Sequence, residues 1–66
     1  MKKVYLATTS TLPIVGSKAR IRRIEEDGEF HEVLTSKVIY PPERSSTPGV
    51  YRVETRNSIY IVQLVM

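Results

Sequence analysis

Val50-Tyr51-Arg52-Val53-Glu54-Thr55-Arg56-Asn57-Ser58-Ile59-Tyr60-Ile61-Val62-Gln63-Leu64-Val65 reads as two extended runs about a polar break. β-Branched and aromatic residues fill both runs, and such residues fit a pleated, half-buried surface. Arg56-Asn57 stands between them, and Asn tolerates the left-handed backbone that a two-residue turn favours. That turn sets the register. Thr55 faces Ser58, Val53 faces Tyr60 and Tyr51 faces Val62. Alternation then places Tyr51, Val53, Tyr60, Val62 and Leu64 on one face, the expected core face. Arg52, Glu54, Ile59, Ile61 and Gln63 occupy the other. The two isoleucines make that second face partly apolar, so a further layer or a partner is expected to cover it. A slip of one residue would exchange the faces.

Working outward, Pro41 to Gly49 is rich in Pro, Ser and Thr and reads as a loop. Before it, Thr35 to Tyr40 continues an extended run until Pro41-Pro42, where a ladder donor is lost. Asp27-Gly28 lies between Ala19–Glu25 and Glu29–Leu34, the pattern of a second hairpin. Ile21 and Ile24 are three apart, a spacing that a short helix would also use. Asp-Gly favours strands, with a β-bulge expected near Arg22-Arg23. Thr9 to Ser17 reads as a loop that pins Leu12, Ile14 and Val15 against the core. Lys3 to Thr8 alternates Val4 and Leu6 with Lys3, Tyr5 and Ala7, and reads as a first strand.

About five short strands in one domain spanning the chain point to an all-β fold. The expected form is a small antiparallel barrel or curled meander, Src-homology-like or OB-like. Antiparallel pairing is expected because no connection is long enough to hold a crossover helix. The final apolar run, Ile61 to Met66, would be adhesive at a sheet edge.

The chain has 66 residues and no cysteine. A chain of this length buries only about 60% of its unfolded surface. With no disulfide or thiolate metal site to help, stability has to come from packing, with or without self-association. Ten Lys and Arg against seven Asp and Glu leave a net charge of +3. That permits an anionic partner without demanding one. No apolar run reaches the roughly 20 residues that span a membrane. The apolar stretch after Lys2-Lys3 is too short for a signal peptide, and a cytoplasmic protein without membrane contact is expected.

Catalytic constellations are not found. His31 is the only histidine, flanked by Glu29, Phe30 and Glu32, with no second ligand or nucleophile at a productive spacing. Glu25-Glu26-Asp27 does not follow the spacing of a calcium loop. Three glycines form no phosphate cradle. No enzyme activity, cofactor or metal is therefore expected.

Two binding surfaces remain. The outer face of the last strand, Ile59, Ile61, Gln63 and Val65, is the candidate interface with another protein or a second copy, a dimer first. The alternative is nucleic acid held by Lys18, Arg20, Arg22, Arg23 and Arg52, with Tyr5, Tyr40 and Tyr51 as stacking surfaces. On a strand Lys18, Arg20 and Arg22 share a face, with Arg23 opposite. The competing explanation for these charges is a solubilising surface.

Thr35-Ser36-x-Val38 followed by Thr55-x-Asn57-Ser58-x-Tyr60 resembles small uncharacterised bacterial and phage β-proteins, over about the last 32 residues. They carry a Thr-Ser-x-Val strand and a Thr-x-Asn-Ser/Thr-x-Tyr hairpin. The resemblance implies no established activity. It suggests a phage- or mobile-element-encoded modulator of a host protein.

Overall fold

Six strands form one mixed sheet in the order β3-β2-β1-β6-β5-β4. They are β1 (Lys3–Thr9), β2 (Lys18–Ile24), β3 (Phe30–Lys37), β4 (Glu43–Arg44), β5 (Val50–Glu54) and β6 (Ser58–Leu64). The computed structural model describes residues 1–65; Met66, the end of the apolar tail, lies outside the described residues.

The C-terminal hairpin has the expected register. Val53 lies opposite Tyr60 and Tyr51 opposite Val62. Val53, Tyr60 and Val62 are buried, with Tyr51 and Leu64 half-buried at the ends of the same face. The turn is built differently from expectation. No described residue other than glycine has positive φ, so Asn57 is not left-handed. Thr55 closes the turn instead. Its backbone N–H donates to the Ser58 carbonyl at 2.8 Å. Its hydroxyl accepts from the Ser58 N–H at 3.1 Å and donates to the Ser58 carbonyl at 3.0 Å. The Thr55 carbonyl accepts from Lys2 Nζ at 2.7 Å.

The β2–β3 hairpin turns at Asp27-Gly28, as expected. Gly28 N–H donates to the Glu25 carbonyl at 2.9 Å, and Glu25 N–H donates to the Glu29 carbonyl at 2.8 Å. Gly28 sits at φ 85°, a conformation that disfavours a side chain. Asp27 Oδ1 accepts the Glu29 N–H at 2.9 Å. The bulge lies between Lys18 and Arg20, not near Arg22-Arg23. The strand alternates regularly past Arg23, and that puts Arg23 on the inner face while Ile24 faces outward.

Three expectations are corrected at the level of topology. The sheet is not wholly antiparallel, because β1 and β6 pair in parallel over their full lengths, from Lys3 opposite Ser58 to Thr9 opposite Leu64. The four intervening strands act as the crossover, so no helix is required. There are six strands rather than about five, because Glu43-Arg44 within the proline-rich loop pairs with Arg52 and Tyr51. The sheet is open rather than a closed barrel. Beyond β3, Val38 makes one isolated antiparallel bridge to Thr55, and Arg56 N–H donates to the Lys37 carbonyl at 3.0 Å. These contacts tack the end of β3 to the β5–β6 turn.

The inner face carries the core: Ala7, Ala19, Ile21, Val38, Val53, Tyr60 and Val62, with Tyr5 and Val33 packed against it. In the β1–β2 loop Leu12 is half-buried, but Ile14 and Val15 are exposed and do not pin the core.

Candidate functional site

Because paired residues share a face, the register writes the outer surface as rows across the strands. One row runs Arg52, Ile61, Leu6, Ile24, Phe30 from β5 to β3. The next runs Glu54, Ile59, Val4. On the other side lies a row that begins at Val50 and is polar from there on, Gln63, Thr8, Arg22, Glu32. Val4, Leu6, Ile24, Phe30, Ile59 and Ile61 thus form one apolar stripe across four strands, with polar residues on either side. Val4, Leu6 and Phe30 are 59%, 57% and 56% exposed. No second layer lies over the stripe among the described residues, since all the strands belong to the one sheet.

Of the expected interface residues, Ile59 and Ile61 lie in this stripe, half-buried by their neighbours. Gln63 belongs to the polar row. Val65 lies past the end of β6, exposed, with its N–H donating to the Thr9 carbonyl at 2.8 Å. Val4, Leu6, Ile24 and Phe30 were not in the expected set. The alternation in β1 was visible in the sequence, but which of its faces turns inward depends on the non-local pairing with β6.

The five expected basic residues do not form one patch. Arg23 is on the inner face. Its guanidinium lies 4.6 Å from the Tyr5 ring centre and bonds Glu25 at 2.7 and 3.2 Å. Tyr5 in turn stacks on Tyr60 at 5.6 Å between ring centres. The Glu25 hydrogen bond strengthens the proton affinity of Arg23, and the same contact holds the Glu25 carboxyl below its ordinary value. Arg52 lies three strands from β2, roughly 14 Å away at the usual strand spacing. It bonds Glu54 at 3.2 Å and approaches Glu43 at 3.5 Å. Glu54 also receives Lys2 Nζ at 2.7 Å, and these two contacts, Lys2 first, lower its pKa. Lys18 stands beyond the bulge, opposite Lys37. Arg20 and Arg22 remain, exposed on the outer face and without an ion pair among the described residues.

The stacking surfaces are dispersed too. Tyr5 faces the core, Tyr51 is half-buried on the inner side, and Tyr40 is exposed in the loop after β3. His31 lies opposite Arg23, exposed, 3.7 Å from Glu29. Among the described residues no three His, Asp or Glu side chains converge as a metal site. No helix among them is long and apolar enough to cross a membrane. No protein-family model matches the chain, and neither a curated protein nor a solved structure matches it.

Proposed function

We propose that this protein acts by protein–protein contact through the outer face of β1 and β6, with a second copy as the occupant. The observation that carries this reading is the central parallel pair. Parallel strands are ordinarily covered on both faces and are apolar on both. Here β1 and β6 are apolar on both faces, and the outer one is uncovered among the described residues.

Magnitude decides the strength of the contact. One apolar row crosses four strands and the second crosses two, together about 190 Å² at the usual strand spacings. A stable interface buries about 800 Å² on each partner. The stripe alone supplies roughly a quarter of that, so the mixed-sign rim of Arg22, Glu32, Arg52 and Glu54 has to join the contact. A dimer built this way dissociates in roughly the micromolar to millimolar range.

Light scattering across a dilution series tests it. The mass should climb from the 7.6 kDa of one chain towards twice that value as concentration rises. Leu6→Lys, at an exposed position in the middle of the stripe, should keep the mass at the monomer value while leaving thermal unfolding unchanged. A monomer at every concentration sinks the dimer. The face would then pass to a different protein, in line with the host-protein modulator that the hairpin resemblance suggests. A dimer indifferent to Leu6→Lys would put the contact elsewhere.

A further inference from the structure

Lys37, the last residue of β3, stands between two other cations. On one side it pairs with Lys18 of β2. On the other, the bridge of Val38 with Thr55 sets Lys37 opposite Arg56 in the β5–β6 turn, and the Arg56 N–H donates to the Lys37 carbonyl at 3.0 Å. Val38 and Thr55 are buried, so the alternate positions Lys37 and Arg56 turn outward, and both are exposed, as Lys18 is. Lys18, Lys37 and Arg56 thus lie abreast at steps of about 5 Å. Arg20 follows Lys18 on the same face of β2 after about 7 Å, with Leu34 as its cross-strand neighbour. No carboxylate pairs with any of these four among the described residues. Glu32 lies across from Arg22, and Glu54 is held by Lys2 and Arg52.

From this arrangement we infer that Lys18, Arg20, Lys37 and Arg56 hold the phosphate backbone of a nucleic acid, without reading its bases. Like charges directly opposite one another cost stability. A face that serves solubility alone intersperses both signs. Three cations abreast with no carboxylate between them carry a repulsion that a bound polyanion relieves. Their repetition, across the sheet and along β2, suits a ligand whose own charge repeats at regular intervals. A duplex suits the row better than a single strand. No aromatic side chain stands in it, and single-strand binding uses stacking platforms. The site is assembled by the non-local bridge of Val38 with Thr55, and it requires neither Arg23 nor Arg52. It is separate from the apolar stripe and does not depend on the dimer.

The test uses the full chain and a short fluorescent DNA duplex of mixed sequence. Anisotropy should show saturable binding at low salt. Its log–log dependence on salt should have a slope of about −3 to −4, the value for four phosphates neutralised. Lys37→Glu should weaken binding roughly tenfold or more and flatten that slope by about 1. The same variant should melt roughly 2–6 °C higher, because a carboxylate then stands between two cations. Arg44→Glu makes the same change of net charge at an exposed position of β4, opposite Tyr51, and should cost far less affinity. Absence of binding at low salt overturns the inference, and so do equal losses in the two variants. A Lys37→Glu chain that melts no higher overturns it too, since the three cations would then not stand abreast. Stronger retention on phosphatidylserine vesicles than on the duplex, lost in that same variant, would assign the row to a membrane surface instead.

Discussion

The two faces of the β1–β6 pair are built from similar residues and have opposite fates. Inside, Ala7, Tyr60 and Val62 are almost fully buried. Outside, Val4 and Leu6 stand more than half exposed beside half-buried Ile59 and Ile61. Side-chain hydrophobicity does not separate the two sets. What separates them is what the sheet itself brings against each face. The Val38–Thr55 bridge draws the end of β3 to the β5–β6 turn and buries both residues with the inner face, while the outer face has only itself. Apolar content on a strand therefore shows that a face is to be covered, and the topology shows which face the chain covers unaided.

The sharpest way to break this comparison is to truncate one residue on each face. Tyr60→Ala removes a buried ring stacked on Tyr5 and opposite Val53, and should lower stability by roughly 3–5 kcal/mol in urea unfolding. In a chain this small that approaches the whole margin, so Tyr60→Phe, which keeps the ring, serves as the folded control. Ile59→Ala on the outer face should lower monomer stability by no more than about 1 kcal/mol, since the side chain is only half-buried, while weakening the dimer. Equal effects at the two positions would mean that the faces are not distinguished as described.

A smaller effect is expected where the inner face meets the turn. Thr55 is fully buried, and its hydroxyl both accepts from and donates to Ser58. Thr55→Val keeps the shape and leaves the Ser58 N–H without that acceptor, an expected loss of about 1–3 kcal/mol. Thr55→Ser keeps the hydroxyl and should recover most of it. If valine is as stable as threonine, the side chain does not close the turn. Smaller again is Arg23→Gln at the rim of the core, which removes the cation over Tyr5 and the half-buried pair with Glu25, an expected loss of about 1 kcal/mol. Thermal melts at low and high salt separate its two parts, since only the ion pair is strongly screened.

Local structure was legible in the sequence to the extent that it depends on neighbours along the chain. Val50–Val65 contained its own register because the turn joins the two strands directly. Asp27-Gly28 likewise announced its hairpin through the one residue suited to φ 85°. The parallel pairing of β1 with β6 joins residues more than fifty positions apart, and no local pattern encodes it. Without that pairing the inward face of β1 was undetermined, and so was the apolar stripe. The strand at Glu43-Arg44 was hidden by its setting, two exposed charged residues in a loop opened by Pro41-Pro42. Arg23 was legible as lying opposite Arg20 and Arg22, but its partner Tyr5 was not. That contact turns a supposed ligand-binding arginine into part of the core's edge.

The gentlest test concerns acid and the rim of the outer face. Glu54 lies in the row with Ile59 and Val4, held by Lys2 and Arg52. Its folded pKa is lowered from an ordinary 4.5, chiefly by the Lys2 hydrogen bond. A carboxyl with a depressed folded pKa adds stability that is complete above its unfolded value. That stability is lost as the pH falls through the folded one. The urea midpoint should therefore hold steady from neutral pH down to about 4.5 and decline below it. Glu25 contributes with the same sign through Arg23 on the other face. Glu54→Gln should be less stable at neutral pH and show a shallower decline in acid, with the remaining slope removed largely by Glu25→Gln. The dimer should loosen over the same range, because protonating Glu54 leaves the rim positive on both copies. A decline that begins well above pH 4.5 would not come from these two carboxyls, and a slope untouched by both substitutions would remove the ion pairs from the account of either face.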